Sequence, residues 1–139
     1  MTSAHVRYLA YLESLTSSTL DRLDDHVTKD VRFQDPFNDV IGCDSMKRIF
    51  RHMFDAFGQV TFKIRHAVSD GDICLMEWRF EAQLRGRPWA FDGMSRVEFD
   101  VDGRVKAHID YWDAAGAFYE RLPVIGWLLA WLRLRLAID

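Results

Sequence analysis

Cysteine occurs only twice in this chain, as Cys43 and Cys74, and no CxxC pair exists. That scarcity leaves no disulfide framework, and with no apolar leader at the start it points to free thiols in a reducing cytoplasm. A glycine-rich phosphate loop and a Gly-x-Ser-x-Gly elbow are also missing, so nucleotide binding and a nucleophilic triad find no support. Positive charge is in short supply as well. The 18 Lys and Arg against 21 Asp and Glu give a net charge of −3, without the basic stripe that displaces counterions from nucleic acid. Lys47, Arg48 and Arg51 fall close together, which a solvated helix face explains. No apolar segment offers the roughly 20 residues of a bilayer span.

What the chain does have is apolar and aromatic content: 49% hydrophobic and 14% aromatic residues, with ten Phe and five Trp. In 139 residues this is enough to bury one core without staples, so a single domain over residues 1–139 is expected. Tyr8, Leu12 and Leu15 share one face of an amphipathic first helix in AHVRYLAYLESLT. SSTLDRLDDHV predicts a second, with Ser18 and Asp21 as a capping pair. VRF reads as a short strand ended by Pro36, which cannot donate to a ladder. Asp44 is the expected N-cap of a third helix, whose Ile49, Phe50, Met53, Phe54 and Phe57 recur at helical spacing until Gly58. The period then changes to two. VTFKIRHAV, ICLMEWRFEAQL, WAFDGMSRVEF and RVKAHIDYW are four strands, separated by hairpin-type turns. The fold class expected is α+β: a cone-shaped, curved antiparallel sheet, made of a four-strand meander plus the short N-terminal strand, packed against three N-terminal helices.

Strand alternation sorts the last strand into two faces, with Val105, Ala107, Ile109 and Tyr111 on one and Lys106, His108, Asp110 and Trp112 on the other. His108 and Asp110 therefore leave the same face. In an apolar cavity such a pair holds a histidine tautomer or moves a proton near neutral pH; on a solvated face it is an ordinary polar pair. Asp35 in RFQDPFND has two readings too, a turn-former before Pro36 or a carboxylate turned into a pocket. Tyr8 is by default a packing aromatic with its hydroxyl at the rim. His108 and Asp110 with His52, His66 or Asp35 would make a facial metal set, but no spacing matches a metal motif, and no cofactor is expected.

The order of elements, with RYLAYL in the first helix, FQDP before the third and DGRVKAHIDYWD at the last strand, resembles the nuclear-transport-factor-2-like superfamily, and within it the SnoaL-like and ketosteroid-isomerase-like proteins. The resemblance runs over roughly residues 5 to 115. It implies one deep apolar pocket, dimerisation through the sheet, Asp35 as a proton-shuttling base and Tyr8 as a donor to a developing oxyanion. Where those isomerases carry a protonated aspartate on the penultimate strand, this chain has Ser95. The related cyclases and epoxide hydrolases carry a catalytic aspartate on the last strand, which Asp110 matches, beside His108. The ligand pocket is then expected among Phe33, Phe37, Phe54, Trp78, Ser95, Val97 and Trp112.

Beyond this lies an apolar C-terminal helix, expected over residues 123–139, with Trp127, Trp131, Arg133 and Arg135. Covering the cone's mouth or joining a dimer interface are its preferred places; its polar face is too thin for a good interfacial helix, so membrane contact is not expected. The function expected is a cofactor-independent isomerase, cyclase or hydrolase using general acid-base chemistry on a small apolar carbonyl or hydroxylated compound, as a homodimer. The alternative is a non-catalytic module of the same fold that binds a hydrophobic ligand or dimerises.

Overall fold

The computed structural model describes residues 1–117 and 122–137. Helix α1 (Ser3–Glu13) starts where the Thr2 hydroxyl accepts the His5 N–H at 3.3 Å and the His5 ring accepts the Thr2 N–H at 3.4 Å. This reciprocal cap satisfies two donors that a helix start leaves open. Tyr8, Leu9, Tyr11 and Leu12 are buried from it.

The expected second helix is instead a 3-10 segment, Leu20–Asp25, without a side-chain cap. Ser18 does not pair with Asp21; its hydroxyl bonds that of Thr16. Leu20 and Leu23, both fully buried, are three apart, which suits three residues per turn. Two α-helices, not three, therefore precede the meander. Helix α2 (Cys43–Phe57) begins two residues earlier than the sequence implied, after Gly42 at a φ of 115°, and Asp44 lies in its first turn rather than at its cap. There its charge still favours the helix start. Cys43 donates its thiol to Asp24 at 3.0 Å, and burial with that bond pushes its pKa up to about 12, so it is a packed thiol and not a nucleophile.

The sheet has six strands: β1 (Val27–Gln34), β2 (Asp39–Ile41), β3 (Thr61–Asp70), β4 (Ile73–Leu84), β5 (Arg87–Phe99) and β6 (Val105–Trp112), in the order β2-β1-β6-β5-β4-β3. The meander β3 to β6 is antiparallel, as its turn sequences predict. β1, however, runs parallel to β6, with Phe33 opposite His108. The sheet is therefore mixed, which corrects the all-antiparallel expectation. Local pattern carries no information about which strand returns beside the first. The sheet is curved and open, and bulges at β3 and β6 add to its bend.

The β6 bulge also corrects the sorting of faces. Glu98 pairs with Ala107 and Phe99 with Val105, so Lys106 is the extra residue. Val105 and His108 consequently both turn inward and are both buried. On β5, Gly93 lies opposite Trp78, and a Cβ there would run into the indole. Glycine at 93 is what lets the Trp78 ring lie across the neighbouring strand.

After β6 come α3 (Ala114–Ala117) and α4 (Ile125–Leu136), which forms within the segment expected to be helical. Only Gly126 of α4 is buried. Residues 118–121, and 138–139 of the expected helix, lie outside the described residues. None of the described helices is long and apolar enough to cross a membrane.

Gly93→Ala is expected to destabilise the protein by about 1–3 kcal/mol through overpacking against Trp78. Urea denaturation monitored by tryptophan fluorescence measures it; an unchanged midpoint contradicts the close packing at this position.

Candidate active site

Between α2 and the concave face of the sheet lies a cavity of about 620 Å³. Its walls follow from the periodicities of the elements around it. Helix α2 contributes Ile49, Phe50, Met53, Phe54 and Phe57 from one face; β4 contributes Trp78 and Phe80, and β5 Trp89 and Phe91, each pair two residues apart. β6 supplies His108, Asp110 and Trp112, and the β1 end supplies Phe33, Asp35 and Phe37. The surface is thus mostly apolar and aromatic, with two carboxylates, two imidazoles and a guanidinium set into it.

Of the residues expected at the pocket, Phe33, Phe37, Phe54, Trp78 and Trp112 line it, as do Asp35, His108 and Asp110. Ser95, Val97 and Tyr8 do not, and each is buried away from the cavity. Val97 packs between Cys74 and His108 in register. Ser95 sits behind two wall residues, accepting the Trp78 indole N–H at 2.8 Å and donating its hydroxyl to Asp110 Oδ1. Tyr8 sits behind His108, its hydroxyl 2.7 Å from Nδ1. It therefore reaches the imidazole and not the cavity, its ring edge-on to both Phe99 and His108.

These contacts join into one chain: Trp78, Ser95, Asp110, His108, Tyr8. Its direction follows from the groups themselves. An indole N–H only donates, so Ser95 Oγ accepts and its own hydrogen goes to Asp110 Oδ1. His108 Nε2 lies 2.7 Å from the same oxygen, and its N–H points there as donor. Nδ1 is then the acceptor for the Tyr8 hydroxyl. Burial first, and then the Asp110 charge, raise the Tyr8 pKa well above its ordinary value, which keeps the phenol protonated and donating. Both hydrogens converge on Oδ1, an arrangement suited to a carboxylate, and Oδ2 has no partner among the described residues. Both ring nitrogens of His108 are engaged, and among the described residues no three His, Cys, Asp or Glu side chains cluster as metal ligands.

Asp35 satisfies both of its sequence readings. It closes the tight loop between β1 and β2, its Oδ1 accepting the N–H groups of Phe37 at 2.8 Å and Asn38 at 2.7 Å, while the side chain also lines the cavity. Its pKa is raised, chiefly by burial; the bonds from Phe37 and Asn38 oppose the shift, and the Asp110 charge adds to it. Asp35 thus senses the Asp110 charge across the cavity.

Sequence reasoning missed three features. The Trp78–Ser95 link was hidden because the two are seventeen residues apart and meet only through the β4–β5 register. The aromatics Trp89 and Phe91 had a signal, the period of two in WAF. Arg48 and His52, one helical turn apart, also line the cavity from α2. Of the three clustered cations, Lys47 and Arg51 pair with Asp24 and Asp21, and Arg48 alone lines the cavity.

A family model for a SnoaL-like domain matches residues 8–108. No curated protein matches the chain in sequence. Among solved structures, an NTF2-like protein of unknown function from Burkholderia pseudomallei is 16% identical with a TM-score of 0.72, over 84% of this chain and 95% of that one. An LEH-like epoxide hydrolase of M. tuberculosis is 24% identical with a TM-score of 0.65, over 83% of this chain and 84% of that one. TerC, co-crystallised with polyporic acid, is 17% identical with a TM-score of 0.69, over 81% of this chain and 91% of that one. At such identities the likeness is one of fold.

Asp110→Asn removes a negative charge that adds to the rise burial causes in the Asp35 pKa. Carbon-detected NMR titration of the Asp35 carboxyl is expected to show its pKa fall slightly in that variant. An unmoved titration contradicts the coupling. Because the native pKa is raised, Asp35 supports folding at acid pH, below its unfolded pKa of about 3.9, and that support is lost as pH rises through the native value.

Proposed function

This chain belongs to the SnoaL-like domain family, and on that footing we propose that it is a cofactor-independent acid-base enzyme, an isomerase, cyclase or hydrolase, acting on a small apolar carbonyl or hydroxylated compound. The observation that carries this reading is the presence of two carboxylates in one aromatic cavity with opposed surroundings. Asp110 receives two donors on Oδ1 and presents an uncommitted Oδ2; Asp35 is a half-buried group whose protonated form burial favours. An uncommitted carboxylate oxygen facing a half-buried carboxyl group whose protonated form burial favours divides the roles of base and acid.

In this mechanism Asp110 Oδ2 takes a proton from a carbon next to a carbonyl, or from a hydroxyl or water. His108 and Ser95 hold the carboxylate in place throughout, and Tyr8 holds the imidazole as the Nε2–H tautomer. Asp35, or Asp110 in return, delivers a proton to the rearranged product. No electrons are exchanged with a third component. The surrounding Phe33 and Trp112 lower the local dielectric, which strengthens the action of each charge. The polyporic acid held by TerC supports a small molecule as the occupant of this fold. A homodimer through the outer sheet face is part of the same reading, since Val68, Leu75, Met94 and Tyr111 are exposed there; a sedimentation mass of one chain would exclude it.

Turnover of a panel of apolar enones, β-keto esters and epoxides tests the assignment. Asp110→Asn is expected to lower kcat/KM by about 10²–10⁴-fold, the usual worth of a positioned base. Asp35→Asn should lower it as well and shift the pH profile. Tyr8→Phe should cost less, because the tyrosine acts only through His108. If Asp35→Asn, Asp110→Asn and the double variant all turn over like the wild type, the two carboxylates are not the acid and base of the reaction; if ligands bind to the wild type and return unchanged, the cavity is a binding site without catalysis.

A further inference from the structure

Arg48 takes no part in the proposed chemistry, yet it lines the cavity. Its position in α2 explains why. Ser45, Arg48 and His52 succeed one another at spacings of three and four, which puts them along one edge of the helix face that carries Ile49 and Met53. All five line the cavity. Arg48 and His52 are exposed as well, so this edge forms part of its mouth.

The fold itself makes no use of the Arg48 charge. Lys47 and Arg51 reach Asp24 and Asp21 of the 3-10 segment. Asp44 stands four residues before Arg48, the spacing at which helix ion pairs form, yet the guanidinium turns to the neutral Ser45 hydroxyl, to which Nη2 donates at 3.2 Å. Neither Asp35 nor Asp110 pairs with it, and no other carboxylate among the described residues does. A guanidinium has five N–H donors, and here one is committed.

We infer that Arg48 selects the ligand of this cavity: an apolar compound bearing one carboxylate, held by the guanidinium at the mouth while the apolar body lies along the aromatic walls. The planar fork of an arginine matches the two oxygens of a carboxylate. The number of charges follows from the cavity. One guanidinium balances one negative charge, and Asp35 and Asp110 on the sheet side would repel a second, which disfavours a phosphate dianion. The size of the body follows from α2. Arg48 and Phe57 are nine residues apart, about 13 Å along the helix, and Phe57 packs at the far end against Phe80 and Trp89, with ring centroids 6.4 and 5.2 Å away. That distance suits a body of two or three rings. The inference rests on the proposed function only in taking the cavity as the place of the substrate, and not on the roles given to Asp35 and Asp110.

Isothermal titration calorimetry with naphthylacetate, biphenylacetate and adamantylacetate, each against its neutral amide and the matching amine, tests it. The wild type is expected to bind at least one acid about tenfold more tightly than its amide, the worth of one charge-assisted pair. Arg48→Gln should bring that ratio down to about one and leave the affinity for the amide unchanged, which also shows the variant to be folded. Arg48→Lys should keep part of the preference, as a charge without the fork. Arg51→Gln, whose arginine is paired with Asp21, should leave the ratio as it is. Equal binding of acid and amide by the wild type overturns the inference and leaves the cavity a ligand site, and a preference that survives Arg48→Gln overturns it likewise. Tighter binding of the amine overturns it too, and gives the selection of charge to the two carboxylates. A wild type that binds no acid, amide or amine overturns this inference and the reading of the cavity as a ligand site together.

Discussion

Two hydrogens pointed at one carboxylate oxygen, Asp110 Oδ1, hold together the part of this molecule that the rest serves. Ser95 approaches from β5 and His108 from β6, the strand of Asp110 itself, and behind them Trp78 and Tyr8 complete the donors and acceptors. Each of these groups is buried or nearly so, and leaving one of them unpaired would cost about 1–3 kcal/mol. The network therefore selects one rotamer and one protonation pattern for every member. It also ties α1 and three strands to a single point.

Much of the surrounding fold can be understood as accommodation of that point. Gly93 gives the Trp78 ring room to reach Ser95 across the strand. The bulge at Lys106 resets the alternation so that Val105 seals the core below while His108 and Asp110 come to the wall. The parallel pairing of β1 with β6 brings Phe33 opposite His108, and the loop that follows delivers Asp35 to the same cavity. Helix α2 then closes the space with an aromatic face rather than filling it, which is what leaves room for a guest.

Asp35 illustrates how one residue serves structure and site together. The N–H groups of Phe37 and Asn38 anchor its Oδ1, so its position costs little flexibility, while burial raises its pKa. A free carboxylate at a cavity wall would swing toward water. Here the turn that a proline-containing loop needs in any case is also the clamp that keeps an acid where a substrate would lie.

The aromatic face of α2, the four strands of the meander, and the common face of His108 and Asp110 were all legible, because each depends only on a local period of 3.6 or 2 along the chain. The 3-10 segment at Leu20, the start of α2 at Cys43 and the extra residue at Lys106 were not, since each turns on one hydrogen bond more or less at the end of an element. The amino-acid sequence by itself determined which residues are apolar, which elements they form and which side chains leave a strand together. Only the tertiary structure decided that β1 lies parallel beside β6, that Tyr8 ends on His108 instead of in the cavity, and that Ser95 lies behind Asp110. Those outcomes depend on contacts between residues up to 100 positions apart, and no local pattern encodes which distant partner will satisfy a buried polar group.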